Sequence, residues 1–116
     1  MAELVQKKCL PCEGIGQAFT KKEAERYLVE VSGWTLDQAG KTMSCSLVLK
    51  NFMATIDLIN RIAQVAEAEN HHPDLHVTGY RNLKIDLSTH ALGGLTENDF
   101  ILAAKINVLP KELRKK

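Results

Sequence analysis

The stretch Lys41–Lys50, KTMSCSLVLK, decides the fold. Met43, Cys45, Leu47 and Leu49 point one way, and Thr42, Ser44 and Ser46 point the other. An apolar face and a hydroxyl face at period two predict a half-buried antiparallel strand. Cys45 falls on the apolar side and is expected to be a buried structural thiol. Immediately afterwards the period changes. Asn51 is placed to cap a helix reaching Glu69, in which Phe52, Ile56, Ile59, Ala63 and Ala66 form the expected core stripe. Asp57, Asn60, Arg61, Gln64 and Glu67 occupy its other faces. His71-His72-Pro73 ends this helix, because proline disfavours helical geometry in the residue before it.

The same reading extends outward in both directions. Upstream, Thr20-x-x-Glu23 has the form of a capping box, opening a helix to about residue 31 with Ala24, Tyr27, Leu28 and Val31 on one stripe. Ser32-Gly33 stops it, and Trp34 begins a strand that turns near Gln38-Ala39-Gly40. Downstream, Leu75 to Thr78 is a short strand interrupted by Gly79. Leu83, Ile85 and Leu87 then alternate with Lys84, Asp86 and Ser88. Gly93-Gly94 makes a turn, and Thr96 opens a last helix with Phe100, Ala103, Ala104 and Val108 as its apolar stripe. The order α-β-β-α-β-β-α predicts an α+β fold, a four-stranded antiparallel sheet with helices packed on one face.

At 116 residues one domain is expected, assigned to residues 20–116. Residues 1–19, punctuated by Pro11, Gly14 and Gly16, are expected to be a loosely structured extension. It carries Cys9-Leu10-Pro11-Cys12. No second CxxC accompanies that pair, so it reads as an unspecialised segment ahead of a metal or redox site. The balance of 15 basic against 14 acidic side chains gives no footprint for nucleic acid or a membrane surface. The basic segment at 111–116 is expected to be a solvated, fraying helix end. MAELVQKKCL lacks an apolar run of signal-peptide length, no stretch is long enough to span a membrane, and three cysteines suit a reducing cytoplasm.

Chemistry concentrates in the histidines. His71, His72 and His76 fall just after a helix and around a proline, and His90 follows the last strand. Imidazole exchanges protons near neutral pH, which suits general acid/base work. Glu67 lies one helical turn before His71 and is placed to orient an imidazole. Adjacent histidines beside a carboxylate also occur as metal ligands, although HH lacks the helical i, i+4 spacing. Thr96-x-x-Asp99 has a plain explanation as a capping box.

The segment Glu67-Ala-Glu-Asn-His71-His72-Pro73, followed by Tyr80, by Leu87-Ser88-Thr89-His90 and by Asp99, resembles the signature of pterin-4a-carbinolamine dehydratases. That family is also known as the dimerisation cofactor of a hepatocyte nuclear factor. Weaker similarity covers about residues 20–108, including Gly33-Trp34 and Phe52. The resemblance implies the same fold and a hydro-lyase that dehydrates 4a-hydroxytetrahydrobiopterin to quinonoid dihydropterin. It implies catalytic roles for His71, His72 and His90, with His72 and His90 as the main acid/base pair and His71 chiefly a substrate binder. Glu67, Pro73, Thr89 and Asp99 become substrate-binding residues. No metal and no organic cofactor is implied; the partners are the pterin carbinolamine and further copies of the chain, as a homodimer or homotetramer. Leu75 stands where some members have tryptophan, and the segment from Pro73 to His90 is one residue longer than in animal members. Some similar proteins act in RuBisCO assembly, so the alternative is a non-catalytic assembly or transcriptional cofactor built on this scaffold.

Overall fold

The computed structural model describes residues 2–10 and 15–115. Its elements run α1 (Ala2–Gln6), α2 (Lys21–Leu28), β1 (Thr35–Leu36), β2 (Met43–Val48), α3 (Phe52–Glu69), β3 (Asp74–Thr78), β4 (Asn82–Leu87), a 3-10 turn (His90–Leu92) and α4 (Glu97–Asn107). The four strands form one antiparallel sheet in the order β1-β2-β4-β3, so the predicted α+β architecture stands.

Register follows the alternation. Met43, Cys45 and Leu47 pair with Leu87, Ile85 and Leu83, and Leu75 and Val77 pair with Ile85 and Leu83. Paired residues share a face, so the apolar positions of the strands gather on one side. There they meet Leu58 and Ile62 of α3 and Phe100, Leu102 and Ile106 of α4 in one core. The opposite face carries Ser44, Ser46, Lys84 and Asp86. Gly79 and Tyr80 both take left-handed backbone angles in the loop joining β3 to β4 (φ 53° and 59°).

The helix ends follow local chemistry. The Thr20 amide donates to Glu23 Oε1 (2.8 Å) and the Glu23 amide to Thr20 Oγ1 (3.2 Å), completing the expected capping box. Asn51 Oδ1 accepts from the Ala54 amide (2.8 Å) and starts α3.

Three expectations are corrected. The buried stripe of α3 is Ala54, Thr55, Leu58, Ile62 and Ala66, whereas Phe52 is half exposed and Ala63 faces solvent. The helix is apolar on more than one side, and the stripe that meets the sheet is the one in phase with Leu58. Val108 lies beyond the end of α4 and is exposed, because α4 stops at Asn107 ahead of Pro110. Residues 111–115 are not a helix end. The Lys50 amide donates to the Glu112 carbonyl (2.8 Å) and the Arg114 amide to the Val48 carbonyl (2.9 Å), tying this segment antiparallel to the end of β2. Lys111 Nζ meanwhile donates to the carbonyls of Ile106, Asn107 and Leu109, capping α4.

The lead-in also carries structure. Residues 2–6 are helical, and Leu4 is buried against the core. Pro11 and Cys12 lie outside the described residues.

Candidate active site

The loop after α3 is aimed by its first residue. Asn70 adopts the left-handed conformation (φ 53°, ψ 41°). Its amide donates to the Glu67 carbonyl (3.2 Å), and the His71 amide donates to the Ala66 carbonyl (3.1 Å). This is a Schellman closure, which reverses the chain within two residues. His71 is thereby turned inward, and His72 stays at the surface.

Inside, His71 Nε2 lies 2.6 Å from Asp99 Oδ1. Asp99 sits in the first turn of α4 and is fully buried. Its Oδ2 accepts from Thr89 Oγ1 (2.8 Å) and from the Thr96 amide (2.9 Å), and the Thr89 and Thr96 hydroxyls are 2.9 Å apart. An aspartate accepting two other hydrogen bonds is held as an acceptor toward His71. In the tautomer with its proton on Nε2 the ring donates to Oδ1 and keeps Nδ1 as its lone-pair nitrogen. The capping-box reading of Asp99 is thus half of its role. One oxygen caps α4, and the other orients an imidazole 28 residues away in sequence.

At the surface, His72 Nε2 lies 2.6 Å from Glu67 Oε1, with both side chains more than half exposed. Glu67 was expected to serve His71; the left-handed turn at Asn70 hands it to the next residue instead. Pro73 is half-buried between this pair and β3. His90 begins the 3-10 turn and is exposed; its neighbour Thr89 is the residue that donates to Asp99. The site thus draws on the end of α3, the end of β4 and the start of α4. Thr89 and Asp99, expected at the substrate, are buried and spend their polar atoms on protein partners. Sequence reading missed Thr96 as a member of the network, although its capping motif was visible.

His76, fourth in the chain's set, stands apart. Its Nε2 lies 3.1 Å from Asp86 Oδ2 on the open face of the sheet, where Ser44 Oγ donates to Asp86 Oδ1 (2.5 Å). A hollow of about 430 Å³ on that face, lined by Thr35, Asp37, Ser44, Ser46 and Lys84 among others, includes none of the residues of the histidine network. Among the described residues no group of three or more histidine, cysteine, aspartate or glutamate side chains is arranged to hold a metal ion. Cys9 is poorly suited to thiolate chemistry: burial, reinforced by the Glu69 carboxylate, pushes its thiol up to about 12.

The family model for pterin 4 alpha carbinolamine dehydratase matches residues 17–109, a span that takes in the whole histidine network. The chain belongs to this family of hydro-lyases. The mitochondrial pterin-4-alpha-carbinolamine dehydratase 2 of Arabidopsis thaliana is 49% identical over 121 residues, covering 100% of this chain. The chain spans 65% of that protein's length. Among solved structures, a transcriptional coactivator/pterin dehydratase from Brucella melitensis superposes with a TM-score of 0.73 at 27% identity, over 78% of this chain and 96% of that one. A pterin dehydratase-like RuBisCO assembly factor of the alpha-carboxysome has a TM-score of 0.55 at 17% identity, over 65% of this chain and 86% of that one, which is a likeness of fold alone. No helix among the described residues is long and apolar enough to cross a membrane.

Proposed function

We propose that this chain dehydrates pterin-4a-carbinolamine, 4a-hydroxytetrahydrobiopterin, to quinonoid dihydropterin, as a step of tetrahydrobiopterin recycling. The observation that carries the reading is a pair of adjacent imidazoles each held by its own carboxylate, His71 by Asp99 in the interior and His72 by Glu67 at the surface. In the reaction the C4a–O bond breaks and its electron pair leaves with the oxygen, which takes up a proton to depart as water. The lone pair of the adjacent ring nitrogen closes the new C=N bond, and a ring-nitrogen proton is lost. Both transfers are within reach of imidazole near neutral pH. His72 and His90, open to solvent, form the acid/base pair. His71, locked as the Nε2–H tautomer, presents Nδ1 to bind and position the hydroxyl. Pro73 fixes the path of the loop, Glu67 orients His72, and Thr89 and Asp99 contribute to substrate binding through His71. The dehydratase reading agrees with the names borne by the relatives.

The active unit is a homo-oligomer, dimer or tetramer. β3 is an edge strand, and α3 presents Phe52 and Met53 to solvent, 50% and 65% exposed, which favours self-association. A reducing compartment, the cytoplasm, remains the expected location; the Arabidopsis relative is named as mitochondrial.

The test is the rate of 4a-hydroxytetrahydropterin dehydration, followed by absorbance, for wild type and His72→Ala. Catalysis well above the spontaneous rate, lost in the variant, is expected. A folded wild type no faster than the spontaneous reaction would overturn the assignment.

A further inference from the structure

His71 follows the end of α3 and Asp99 lies in the first turn of α4, and their 2.6 Å contact tolerates little relative movement of those two helix ends. Both ends are gripped one or two residues away by the same stretch of chain, outside the span of the family model. Asn98, next to Asp99 and 3% exposed, holds the backbone of Leu10 at both poles: the Leu10 amide donates to Asn98 Oδ1 (2.9 Å), and Asn98 Nδ2 donates to the Leu10 carbonyl (2.7 Å). Glu69, two residues before His71, accepts from the Cys9 amide through Oε1 (2.8 Å). Its other oxygen lies 3.6 Å from Lys105 Nζ, which itself donates to the Val5 carbonyl (2.8 Å). Lys7 reaches Glu97 at the first position of α4 (2.7 Å), and Leu4 anchors the stretch in the core.

We propose that residues 4–10 are a positioning strap for the candidate site, holding α3 to α4 through Glu69 and Asn98 so that the His71–Asp99 pair keeps its geometry. Three features support a strap over a passive covering. Its contacts are polar and paired at both poles, which fixes direction as well as distance. They fall on the immediate neighbours of the pair. Glu69 is also kept ready for its part: burial would raise its carboxyl, but the Cys9 amide, Lys105 and Lys8 outweigh that and hold it below its usual range. The strap acts through His71 and touches no substrate, so its residues are positioning residues. The idea rests on the dehydratase reading for its catalytic consequence, but the geometric claim stands apart from it.

The test uses the full chain with Asn98→Ala and Glu69→Ala, and Asn98→Gln and Glu69→Gln as conservative partners that retain an acceptor for the strap amides. Exchange of the Leu10 and Cys9 amides reports whether the strap has been released. Exchange of the His71 Nε2 proton, followed by NMR, reports the geometry of the pair. With the strap released, that proton is expected to exchange about tenfold faster, and kcat to fall about tenfold with KM nearly unchanged, as for a modest misplacement of a catalytic group. The conservative variants are expected to recover much of both. Released strap amides with an unchanged His71 proton would overturn the proposal. If one alanine variant fails to fold, the other, at the opposite pole of the strap, carries the same comparison. A wild type without dehydratase activity removes the assigned function and leaves the exchange comparison as the deciding result.

Discussion

Replacing Asp99 with asparagine isolates the orientation of His71 from the shape of the site. The substitution is nearly isosteric, and its outcome follows from which donors cannot change. The Thr96 amide must donate to position 99, so the side-chain oxygen of the asparagine has to remain where Oδ2 is now, 2.9 Å away. The amide nitrogen then faces His71 Nε2 across the present 2.6 Å. Two N–H donors would collide, so the imidazole must move its proton to Nδ1 and accept at Nε2. His71 then presents a donor where it presented a lone pair. Losing the charge-assisted bond in a fully buried setting costs about 1.5–3 kcal/mol of stability. The same exchange at a histidine-orienting aspartate in a serine protease lowers turnover by on the order of 10⁴ through the wrong tautomer. Because His71 is proposed to position rather than to transfer the proton, a loss of roughly 10²-fold in kcat is expected here. Absorbance-followed dehydration measures the rate, and imidazole nitrogen chemical shifts report the tautomer. A folded Asp99→Asn protein with wild-type turnover and the Nε2–H tautomer intact would refute the reasoning.

Other outcomes follow from the same geometry. Glu67→Gln leaves stability within about 1 kcal/mol of wild type in urea titration, since the pair it weakens is exposed, yet it lowers kcat through His72. Ile62→Ala, at a fully buried position, costs about 2–5 kcal/mol. Phe52→Ala costs far less in monomer stability and shifts the association equilibrium seen in sedimentation. Alkaline pH offers a further check. Because the fold raises the Cys9 thiol from 9.0 to about 12, folded protein binds that proton more tightly than unfolded chain, so the contribution is full below the unfolded value and disappears as pH climbs through the folded one. Urea midpoints should therefore fall between about pH 9 and about pH 12 in wild type, and fall less in Cys9→Ala.

The elements were legible where chemistry is local. Asn51 and Pro73 bracket α3, and the Thr20–Glu23 box opens α2, because caps and proline act within a few residues. Which side of α3 turns inward was not legible. Phe52, Ile56 and Ile59 make as good an apolar stripe as Leu58 and Ile62, and only the sheet decides between them. The histidines were visible as a cluster, but their partners were not. Glu67 passes to His72 because Asn70 turns left-handed, a habit of asparagine at helix ends that a reading based on helical spacing overlooks. Asp99 was legible as a cap and illegible as the partner of His71, since no local rule links residues so far apart. The lead-in looked featureless because its bonds come from backbone groups answering Asn98 and Glu69, which leave no periodic trace.

The strand order has a consequence for the time course of folding. Leu75 and Ile85, partners across β3 and β4, are joined by a tight loop, whereas Cys45 and Ile85, partners across β2 and β4, have the whole of α3 between them. Closing a short loop costs less entropy than closing a long one, so the edge hairpin can form early and the central pairing must wait for it. Side chains of β4 that serve both partners, Leu83 and Ile85, therefore sit where a destabilising change slows the approach to the native sheet.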